Sequence, residues 1–241
     1  MAHMEIEGKR ILITGANRGL GRALVTAFVD AGAAQVIAGT RKQEHRDALQ
    51  SDRVLPVQLD VRSDADVESV SRMGTFDILV NNAGVAGFGN PLTMGFEAAQ
   101  EEIEVNYLGV LRVSRAVAPG MMAQHGGMIV NVATAFAKVN LPIVGTYCAT
   151  KAALLSLGQA LRAYLSQYGV RVMTVMPTTI DTDMSRGADV PKMTKEFVAG
   201  EILAAIREER HDPVIGDEAK SICEDLAKDP LAVEKRLMSY K

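Results

Sequence analysis

Cysteine and histidine are scarce in this sequence, and tryptophan is absent. Two cysteines, Cys148 and Cys223, and four histidines occur among 241 residues. Two cysteines cannot form a disulfide framework, and neither they nor the scattered histidines have the spacing of metal ligands. We therefore expect reduced thiols and no metal site.

Strong charge and long apolar segments are also missing. The formal net charge is −3, without a basic stripe, and no run of about 18 apolar residues is present. The first residues lack the hydrophobic region of a signal peptide. These absences argue against nucleic acid, an anionic membrane surface, a membrane span and export. We expect a cytoplasmic protein whose partner is a small molecule.

What is present is typical of one folded domain. Hydrophobic residues make up 48% of the chain and charged residues 23%, which allows a large core. No linker-like segment divides the chain, so we expect one domain over residues 4–241, with 217–241 as a C-terminal helical tail. Residues 1–3 look like a remnant of recombinant expression and are set aside.

Short aliphatic runs alternate with helical patterns along the chain. The runs are apolar on both faces, which predicts parallel strands covered by helices on both sides. The order β-α-β-α predicts an α/β fold with a doubly wound sheet, and such sheets bind ligands at the carboxyl ends of their strands. The predicted helices are 18–31, 63–72, 94–124 and 146–167. The predicted strands are RILIT (10–14), QVIAGT (35–40), VLPVQL (54–59), FDILVNNA (76–83), GMIVNVAT (127–134) and VRVMTVM (170–176), with PVIG (213–216) as a last strand.

The segment TGANRGLG, residues 14–21, follows the first strand and opens the first helix. Gly15 permits a tight turn, and Gly19 and Gly21 allow backbone and helix to approach a pyrophosphate. The helix N-terminus adds free N–H groups and a positive dipole end. The segment predicts a dinucleotide site; a glycine-rich turn without a ligand is the alternative.

Tyr147 and Lys151 stand four residues apart in YCATKAAL, residues 147–154. Residues at this spacing share one face of a helix, so the lysine charge should lie beside the phenol and lower its pKa. A phenol tuned in this way can serve as an acid or base. The alternative is an amphipathic tyrosine beside a lysine that extends to solvent.

Five features, in this order, resemble the short-chain dehydrogenases/reductases in their compact form of about 250 residues. They are the glycine segment, Asp60, the Asn-Asn-Ala-Gly segment 81–84, Asn106 and the Tyr147–Lys151 pair. The resemblance covers about residues 6–208. It implies a Rossmann-like, mostly parallel sheet of about seven strands in the order 3-2-1-4-5-6-7, and hydride transfer with a nicotinamide cofactor.

The end of the second strand indicates which cofactor binds. It reads Thr40-Arg41, without the carboxylate that would bind the ribose hydroxyls of NAD, and Arg18 lies in the glycine segment. Two guanidinium groups and a missing acid favour NADP(H). Either arginine alone also fits a solvated helix start or strand end. The resemblance implies that Asp60 contacts the adenine and that Val61 follows it; Asp60 could instead cap helix 63–72.

The resemblance also assigns the reaction centre. Tyr147 exchanges the proton, Lys151 holds the nicotinamide ribose, and Asn106 positions a water that links Lys151 to solvent. Asn82 supports the sheet and the cofactor loop. The family serine that holds the substrate oxygen is replaced by Thr134, whose methyl group narrows the space around the carbonyl. A surface position for Asn106 and a simple strand end at Thr134 are the alternatives.

The predicted site therefore has two sets of residues and no metal. The catalytic set is Tyr147, Lys151, Asn106 and Thr134. The cofactor set is Gly15, Asn17, Arg18, Gly19, Leu20, Gly21, Thr40, Arg41, Asp60, Val61, Asn82, Ala83, Gly84, Tyr147, Lys151, Pro177, Ile180 and Thr182.

The predicted pocket has few charges, which favours an uncharged, fairly apolar aldehyde or ketone. Thr178 follows Pro177 where relatives have glycine, and the segment 184–195 is short for a substrate lid, which predicts an open pocket. Cys148 is interpreted as a packing residue. The predicted walls, several of which could instead be core, are Val85, Phe88, Phe136, Leu141, Val144, Met184 and Met193.

The tail and the assembly complete the predictions. The tail reads as two short helices broken near Asp229-Pro230, covering either the domain or a neighbouring subunit. Its apolar side is formed by Ile222, Leu226, Val233 and Leu237. We expect a homodimer or homotetramer that pairs through helices 94–124 and 146–167. A rival function is an NADP(H)-binding redox sensor or scaffold with little turnover.

Overall fold

The computed structural model of the protein describes residues 4–238. Residues 1–3, which were interpreted as an expression remnant, lie outside this range. So do residues 239–241, the last three residues of the predicted tail. Within residues 4–238, every strand of the sheet is parallel to its neighbours, in the order β3-β2-β1-β4-β5-β6-β7. The predicted fold class and strand order are confirmed. The strands are β1 (Arg10–Thr14), β2 (Gln35–Thr40), β3 (Val54–Gln58), β4 (Ile78–Asn81), β5 (Gly127–Val132), β6 (Val170–Pro177) and β7 (Val214–Ile215).

The helices follow the predicted pattern with two additions and one correction. The short α2 and the longer α7 were not predicted. The predicted helix 94–124 is divided, because one π-helical turn, Glu104–Gly109, separates α4 from α5. The α-helices are α1 (Gly19–Asp30), α2 (Gln43–Asp47), α3 (Asp64–Ser71), α4 (Phe96–Ile103), α5 (Val110–Ala123), α6 (Gly145–Leu165), α7 (Lys195–Arg207), α8 (Asp217–Lys228) and α9 (Pro230–Leu237).

Alternating residues of the central strands explain the layers of the fold. In β1, Ile11 and Ile13 pack with Phe28 of α1, while Leu12 packs on the opposite face with Met121 of α5. All five side chains are fully buried. Because successive side chains of a strand point to opposite faces, a continuous apolar run needs helices on both sides.

The tail packs on its own chain. Ile222, Val233 and Leu237 are buried against the segment 136–148, which leads into α6 and includes Val144 and Cys148. Asp229 caps α9, and Pro230 occupies its first turn, so the predicted break between the two helices is confirmed. The tail therefore lies behind the segment that carries Tyr147.

None of the helices in residues 4–238 is long and apolar enough to cross a membrane. The same residues contain no cluster of three or more histidine, cysteine, aspartate or glutamate side chains that could hold a metal ion.

Candidate active site

A cavity of about 890 Å³ lies at the carboxyl ends of the strands. Its walls come from the glycine segment after β1, the ends of β2 and β3, the segment after β4, the segment between β5 and α6 with the start of α6, and residues 177–190 at and after the end of β6. This is the crevice in which open parallel sheets bind ligands. The prediction that Met193 forms part of the cavity wall is wrong. Met193 does not line the cavity and instead packs against Gly216 and the core.

The glycine segment is shaped by contacts that exclude side chains. Gly15 has φ +65°, and a Cβ there would lie 2.8 Å from the Cα of Ala83. A Cβ on Gly21 would lie 2.2 Å from the carbonyl oxygen of Gly15 and 2.6 Å from Asn82 Nδ2. Real carbon atoms cannot approach so closely, so only glycine allows this turn.

Asn82 and Thr14 join the glycine segment to the end of β4. Asn82 Nδ2 donates to the carbonyl oxygens of Thr14 (3.0 Å) and Gly15 (3.1 Å). Thr14 Oγ1 accepts from the backbone N–H groups of Asn82 and Ala83, each at 3.0 Å. Asn82 thus supports the loop, as its predicted role requires.

The N-terminus of α1 opens toward the cavity and fits an anion. Arg18 precedes the helix in an extended conformation, no side chain caps the first turn, and that turn contains no acidic residue. The orphan N–H groups and the positive end of the helix dipole are therefore available to a phosphate. Together with the tight glycine turn, this arrangement fits a dinucleotide.

The far end of the cavity is basic. Arg18, Arg41 and Lys42 line it, together with His45, whose Nδ1 lies 3.3 Å from Asn17 Nδ2. Lys42 and His45 were not predicted. Thr40 does not face the cavity; it is buried, and its hydroxyl donates to the Lys42 carbonyl at 3.4 Å.

Asp60 and Val61 also line the cavity. Arg62 Nη2 lies 2.7 Å from Asp60 Oδ2, and its hydrogen bonds lower the pKa of the Asp60 carboxyl. The alternative that Asp60 caps helix α3 is wrong, because Ser63 caps it and accepts from Asp66 N at 3.2 Å. Asp60 therefore remains an ionised carboxylate in the cavity wall.

An ion pair crosses the cavity between the glycine segment and the segment after β6. Arg18 Nη1 lies 3.2 Å from Asp183 Oδ2, and Asp183 also pairs with Arg186. The side chains of Arg18 and Asp183 are both substantially exposed, so this ion pair contributes at most about 1 kcal/mol to stability. Arg18 can leave Asp183 for a stronger anion at little cost.

Tyr147 and Lys151 lie side by side at the opposite end of the cavity. Lys151 Nζ is 5.6 Å from the centre of the Tyr147 ring and donates to the Val132 carbonyl at 2.8 Å. Burial lowers the pKa of Lys151 to about 8. Burial also raises the pKa of Tyr147, so the prediction of a lowered phenol pKa is wrong for this structure: desolvation outweighs the attraction of the ammonium group.

Asn106 is fully buried on the π-helical turn, which excludes the surface alternative. Its Nδ2 donates to the Val85 carbonyl (2.9 Å) and to Thr150 Oγ1 (3.0 Å), and its Oδ1 accepts from Val85 N–H (2.9 Å). Asn106 thereby ties the segment after β4 to α6. It does not itself line the cavity.

Glu102 was missed by the sequence interpretation. This carboxylate is 1% exposed, and its Oε1 accepts from Gly87 N–H at 2.6 Å. Its Oε2 is buried without a hydrogen-bond partner among residues 4–238. Glu102 lies one helical turn before Asn106, so both side chains face the segment after β4. Glu102 binds Gly87 and Asn106 binds Val85, and this segment supplies Val85 and Phe88 to the cavity wall. An acid at an inward position of α4 was the only sequence signal for this role.

Thr134 and Thr178 lie in the segments that follow β5 and β6. Thr134 is buried, its hydroxyl donates to the Pro177 carbonyl at 2.9 Å, and its Oγ1 accepts from Phe136 N–H at 3.3 Å. β5 ends at Val132, so Thr134 begins the next turn and is not a strand residue. Both threonines line the cavity.

Comparison with known proteins identifies the family. The sequence model of the short chain dehydrogenase family matches residues 9–191. The chain belongs to the short chain dehydrogenase family. It is therefore an oxidoreductase that acts on alcohol and carbonyl groups of small molecules and binds a nicotinamide cofactor.

Individual short chain dehydrogenases resemble this chain over most of its length. D-erythrulose reductase of Gallus gallus is 38% identical over 187 residues, 76% of each chain. L-xylulose reductase of Mus musculus is 38% identical over 185 residues, 75% of each chain. A short chain dehydrogenase of Burkholderia cenocepacia J2315, solved in complex with NADP, is 37% identical, with a TM-score of 0.93. That likeness covers 98% of this chain and 100% of the other, so it includes the tail.

The structure brings most of the predicted site of this short chain dehydrogenase to one cavity. Thr40 and Asn106 are the exceptions, since both lie behind its wall. The residues that sequence reasoning missed are Lys42, His45, Glu102 and Asp183.

Proposed function

We propose that the protein reduces an uncharged aldehyde or ketone with NADPH, or oxidises the corresponding alcohol with NADP⁺. Tyr147 is the general acid and base. The observation that carries this proposal is the pairing of the Tyr147 phenol with the buried Lys151 ammonium group at the wall of the cavity.

A bound NADPH supplies a hydride to the carbonyl carbon, and the protein must supply a proton to the oxygen. A raised pKa keeps the Tyr147 phenol protonated, as a proton donor requires. Donation leaves a phenolate, which the neighbouring Lys151 charge stabilises. In this proposal the lysine acts on the phenolate that forms in the reaction more than on the resting phenol.

Lys151 and Asn106 have further proposed roles. Lys151 holds the nicotinamide ribose, and Asn106 positions a water that returns protons to Lys151. Gly84 separates the two side chains: a Cβ there would lie 3.4 Å from Asn106 Oδ1 and 3.6 Å from Lys151 Nζ. Glycine thus leaves room beside both groups, which supports the relay. Thr134 is proposed to hold the substrate oxygen.

NADP(H) is the proposed form of the cofactor. Arg18 and Arg41 line the end of the cavity that would receive the adenosine phosphate, and β2 ends without a carboxylate. The Burkholderia cenocepacia relative was solved with NADP, which supports the same choice. The other proposed cofactor contacts are those of the glycine segment, Asp60, Val61, residues 82–84, Pro177, Ile180 and Thr182.

The proposed substrate is small and uncharged. Val85, Phe88, Phe136, Leu141, Val144 and Met184 line the cavity. The relatives from Gallus gallus and Mus musculus are named as reductases of D-erythrulose and L-xylulose. Both sugars are uncharged carbonyl compounds, which supports the proposed substrate class.

A redox sensor or scaffold that binds NADP(H) with little turnover is the second candidate. One observation favours it: the Thr134 hydroxyl already donates its proton to the Pro177 carbonyl. A threonine hydroxyl has only one proton to donate. If nothing else holds the substrate oxygen, turnover is slow.

We also propose a cytoplasmic homodimer or homotetramer that pairs through the helices of segments 94–124 and 146–167. Phe96, Ile103 and Tyr164 lie on these helices with 85%, 47% and 58% of their surfaces exposed, which supports burial by a second copy. Light scattering at micromolar concentration tests this; a monomer contradicts it.

The proposed function is tested with a panel of aldehydes, ketones and alcohols, each assayed with NADPH, NADH and their oxidised forms. Nicotinamide absorbance should change with at least one uncharged substrate, faster with NADP(H) than with NAD(H). Tyr147→Phe should remove this turnover but keep cofactor binding. Binding without turnover in the wild type would instead support the sensor.

A further inference from the structure

We infer that Asp183 limits the affinity of this protein for NADP(H), because its carboxylate competes with the 2′-phosphate of the cofactor for Arg18. This inference rests on the proposed NADP(H) preference, in which Arg18 and Arg41 bind that phosphate. The 2′-phosphate is the group that distinguishes NADP(H) from NAD(H). A residue that occupies Arg18 therefore acts on the binding of one cofactor and not of the other.

Arg18 and Asp183 come from two different walls of the cavity. Arg18 lies in the glycine segment directly before α1, and Asp183 begins a 3₁₀ turn, Asp183–Ser185, in the segment after β6. Arg18 Nη1 donates to Asp183 Oδ2 at 3.2 Å. Both residues line the cavity, so an anion that reaches Arg18 there must displace the Asp183 carboxylate.

The backbone on each side holds this pair together. Thr182 and Ser185 form a capping box around the turn that carries Asp183, and Ser185 Oγ accepts from Thr182 N–H at 3.3 Å. A Cβ on Gly19, the residue after Arg18, would lie 3.2 Å from Thr182 Cγ2. The two segments are therefore in contact beside the ion pair, so the pair does not depend on two long side chains meeting across open solvent.

A phosphate can displace the carboxylate, but the displacement lowers its apparent affinity. The side chains of Arg18 and Asp183 are 66% and 40% exposed, and exposed ion pairs favour the paired state by about 1.5- to 5-fold. A phosphate carries more charge and can bind a guanidinium through two parallel hydrogen bonds. Asp183 keeps Arg186 as a partner when Arg18 leaves. Because only unpaired Arg18 can bind the phosphate, the pair raises the Kd by about the factor that favours pairing.

Asp183 differs from the other acids of the cavity wall. Asp60 pairs with Arg62, which does not line the cavity. Asp189 lines the cavity in the same segment as Asp183 but forms no ion pair within the described residues 4–238. Over the same residues, Arg41 also forms no ion pair. The chain thus offers a matched acid and a matched arginine, each lacking the contact that links Asp183 to Arg18.

The test compares Asp183→Asn with Asp189→Asn, which removes the same charge from the same segment without breaking an ion pair. Calorimetric titration of the full chain at low ionic strength measures the Kd of NADPH and of NADH. We expect Asp183→Asn to lower the Kd of NADPH about two- to fivefold and to change the Kd of NADH by less than about 1.5-fold. Asp189→Asn should change either Kd by less than about 1.5-fold. Asp183→Ala gives the same comparison if asparagine keeps a hydrogen bond to Arg18.

Repeating Asp183→Asn in two arginine variants locates the competition. The gain in NADPH affinity should disappear in Arg18→Ala and persist in Arg41→Ala, since only Arg18 is paired with Asp183. The inference is overturned by an unchanged NADPH Kd in both Asp183 variants, by an equal gain for NADH or from Asp189→Asn, or by a gain that survives in Arg18→Ala.

The proposed function fails separately from this inference. If Arg18→Ala and Arg41→Ala leave the Kd of NADPH unchanged, the proposed phosphate contact is wrong and the inference fails with it. If Arg18→Ala weakens NADPH binding while the Asp183 variants do not strengthen it, the inference alone is overturned. Because each of these measurements is of binding, a wild type that binds NADPH without turnover contradicts only the proposed reaction.

Discussion

Asn106 and Val85 exchange two hydrogen bonds, each of 2.9 Å, in which the side-chain amide of Asn106 pairs with the backbone of Val85. The amide pairs with the N–H and the carbonyl of Val85 as the backbone of an adjacent strand would. Val85 follows β4 and has no strand partner of its own, so Asn106 satisfies both of its backbone groups. A third bond, to Thr150 Oγ1, extends the contact to α6. The wall of the cavity and the helix that carries Tyr147 and Lys151 are therefore held by one buried side chain.

Glu102 should contribute to the same wall. Glu102→Ala removes the acceptor for Gly87 N–H and is expected to lower the free energy of unfolding by about 2 kcal/mol. Glu102→Gln keeps an acceptor and should cost less than half as much. Urea unfolding measures both, with the exposed neighbour Glu101→Ala as control at about 0.5 kcal/mol or less. Equal effects at 101 and 102 would contradict the assigned contact.

The pH dependence of reduction should follow Lys151. Its pKa of about 8 means that the ammonium group loses its proton as pH rises through that value. The charge that stabilises the Tyr147 phenolate is then lost, so kcat/KM should fall above pH 8 by about tenfold per unit. Tyr147 has a raised pKa and remains protonated over this range. A kcat/KM profile that stays level to about pH 9.5 would exclude this assignment.

Arg18 and Arg41 should discriminate between the two nicotinamide cofactors. Arg41→Ala or Arg18→Ala is expected to raise the Kd of NADPH about 10- to 100-fold, since each loses a charge-assisted hydrogen bond of about 1.5–3 kcal/mol. The Kd of NADH should change little. Calorimetric titration compares them with Arg22→Ala, an exposed arginine that does not line the cavity. Equal weakening of both cofactors would contradict a phosphate contact.

Two glycine-to-alanine changes should shift stability in opposite directions. Gly21→Ala places a Cβ 2.2 Å from the Gly15 carbonyl oxygen and should destabilise the protein by about 1–3 kcal/mol. Gly200→Ala lies in α7 with no heavy atom within 4 Å of the new Cβ and should stabilise it by about 0.5–1 kcal/mol. Thermal unfolding reports both signs. A harmless Gly21→Ala would mean that the turn can relax.

The tail should stabilise the site from behind. Leu237 is 2% exposed and packs in the cluster that contains Phe136 and Val144 of the cavity wall. Leu237→Ala should lower the free energy of unfolding by about 2–5 kcal/mol. Leu231 lies on the same helix at 65% exposure, so Leu231→Ala should cost about 0.5 kcal/mol or less. Similar losses at both positions would indicate that the tail does not pack as described.

Much of the fold was predictable because its determinants are local. The apolar runs of β1, β2 and β5 predict strands buried on both faces, since each side chain's direction follows from its place in the strand. The π-helical turn at Asn106 was not predictable in this way, because it depends on contacts with Val85 and Thr150, which are distant in sequence.

The sequence by itself determined the parallel sheet, the glycine turn and the placement of Tyr147 and Lys151 on one helical face. Each depends on backbone geometry and on spacings of a few residues. Tertiary structure decided the rest: the pairing of Arg18 with Asp183, 165 positions apart, the bond from Thr134 to Pro177, and the direction in which the pKa of Tyr147 shifts. Distant contacts and desolvation arise only when the chain has packed, so no local pattern specifies them.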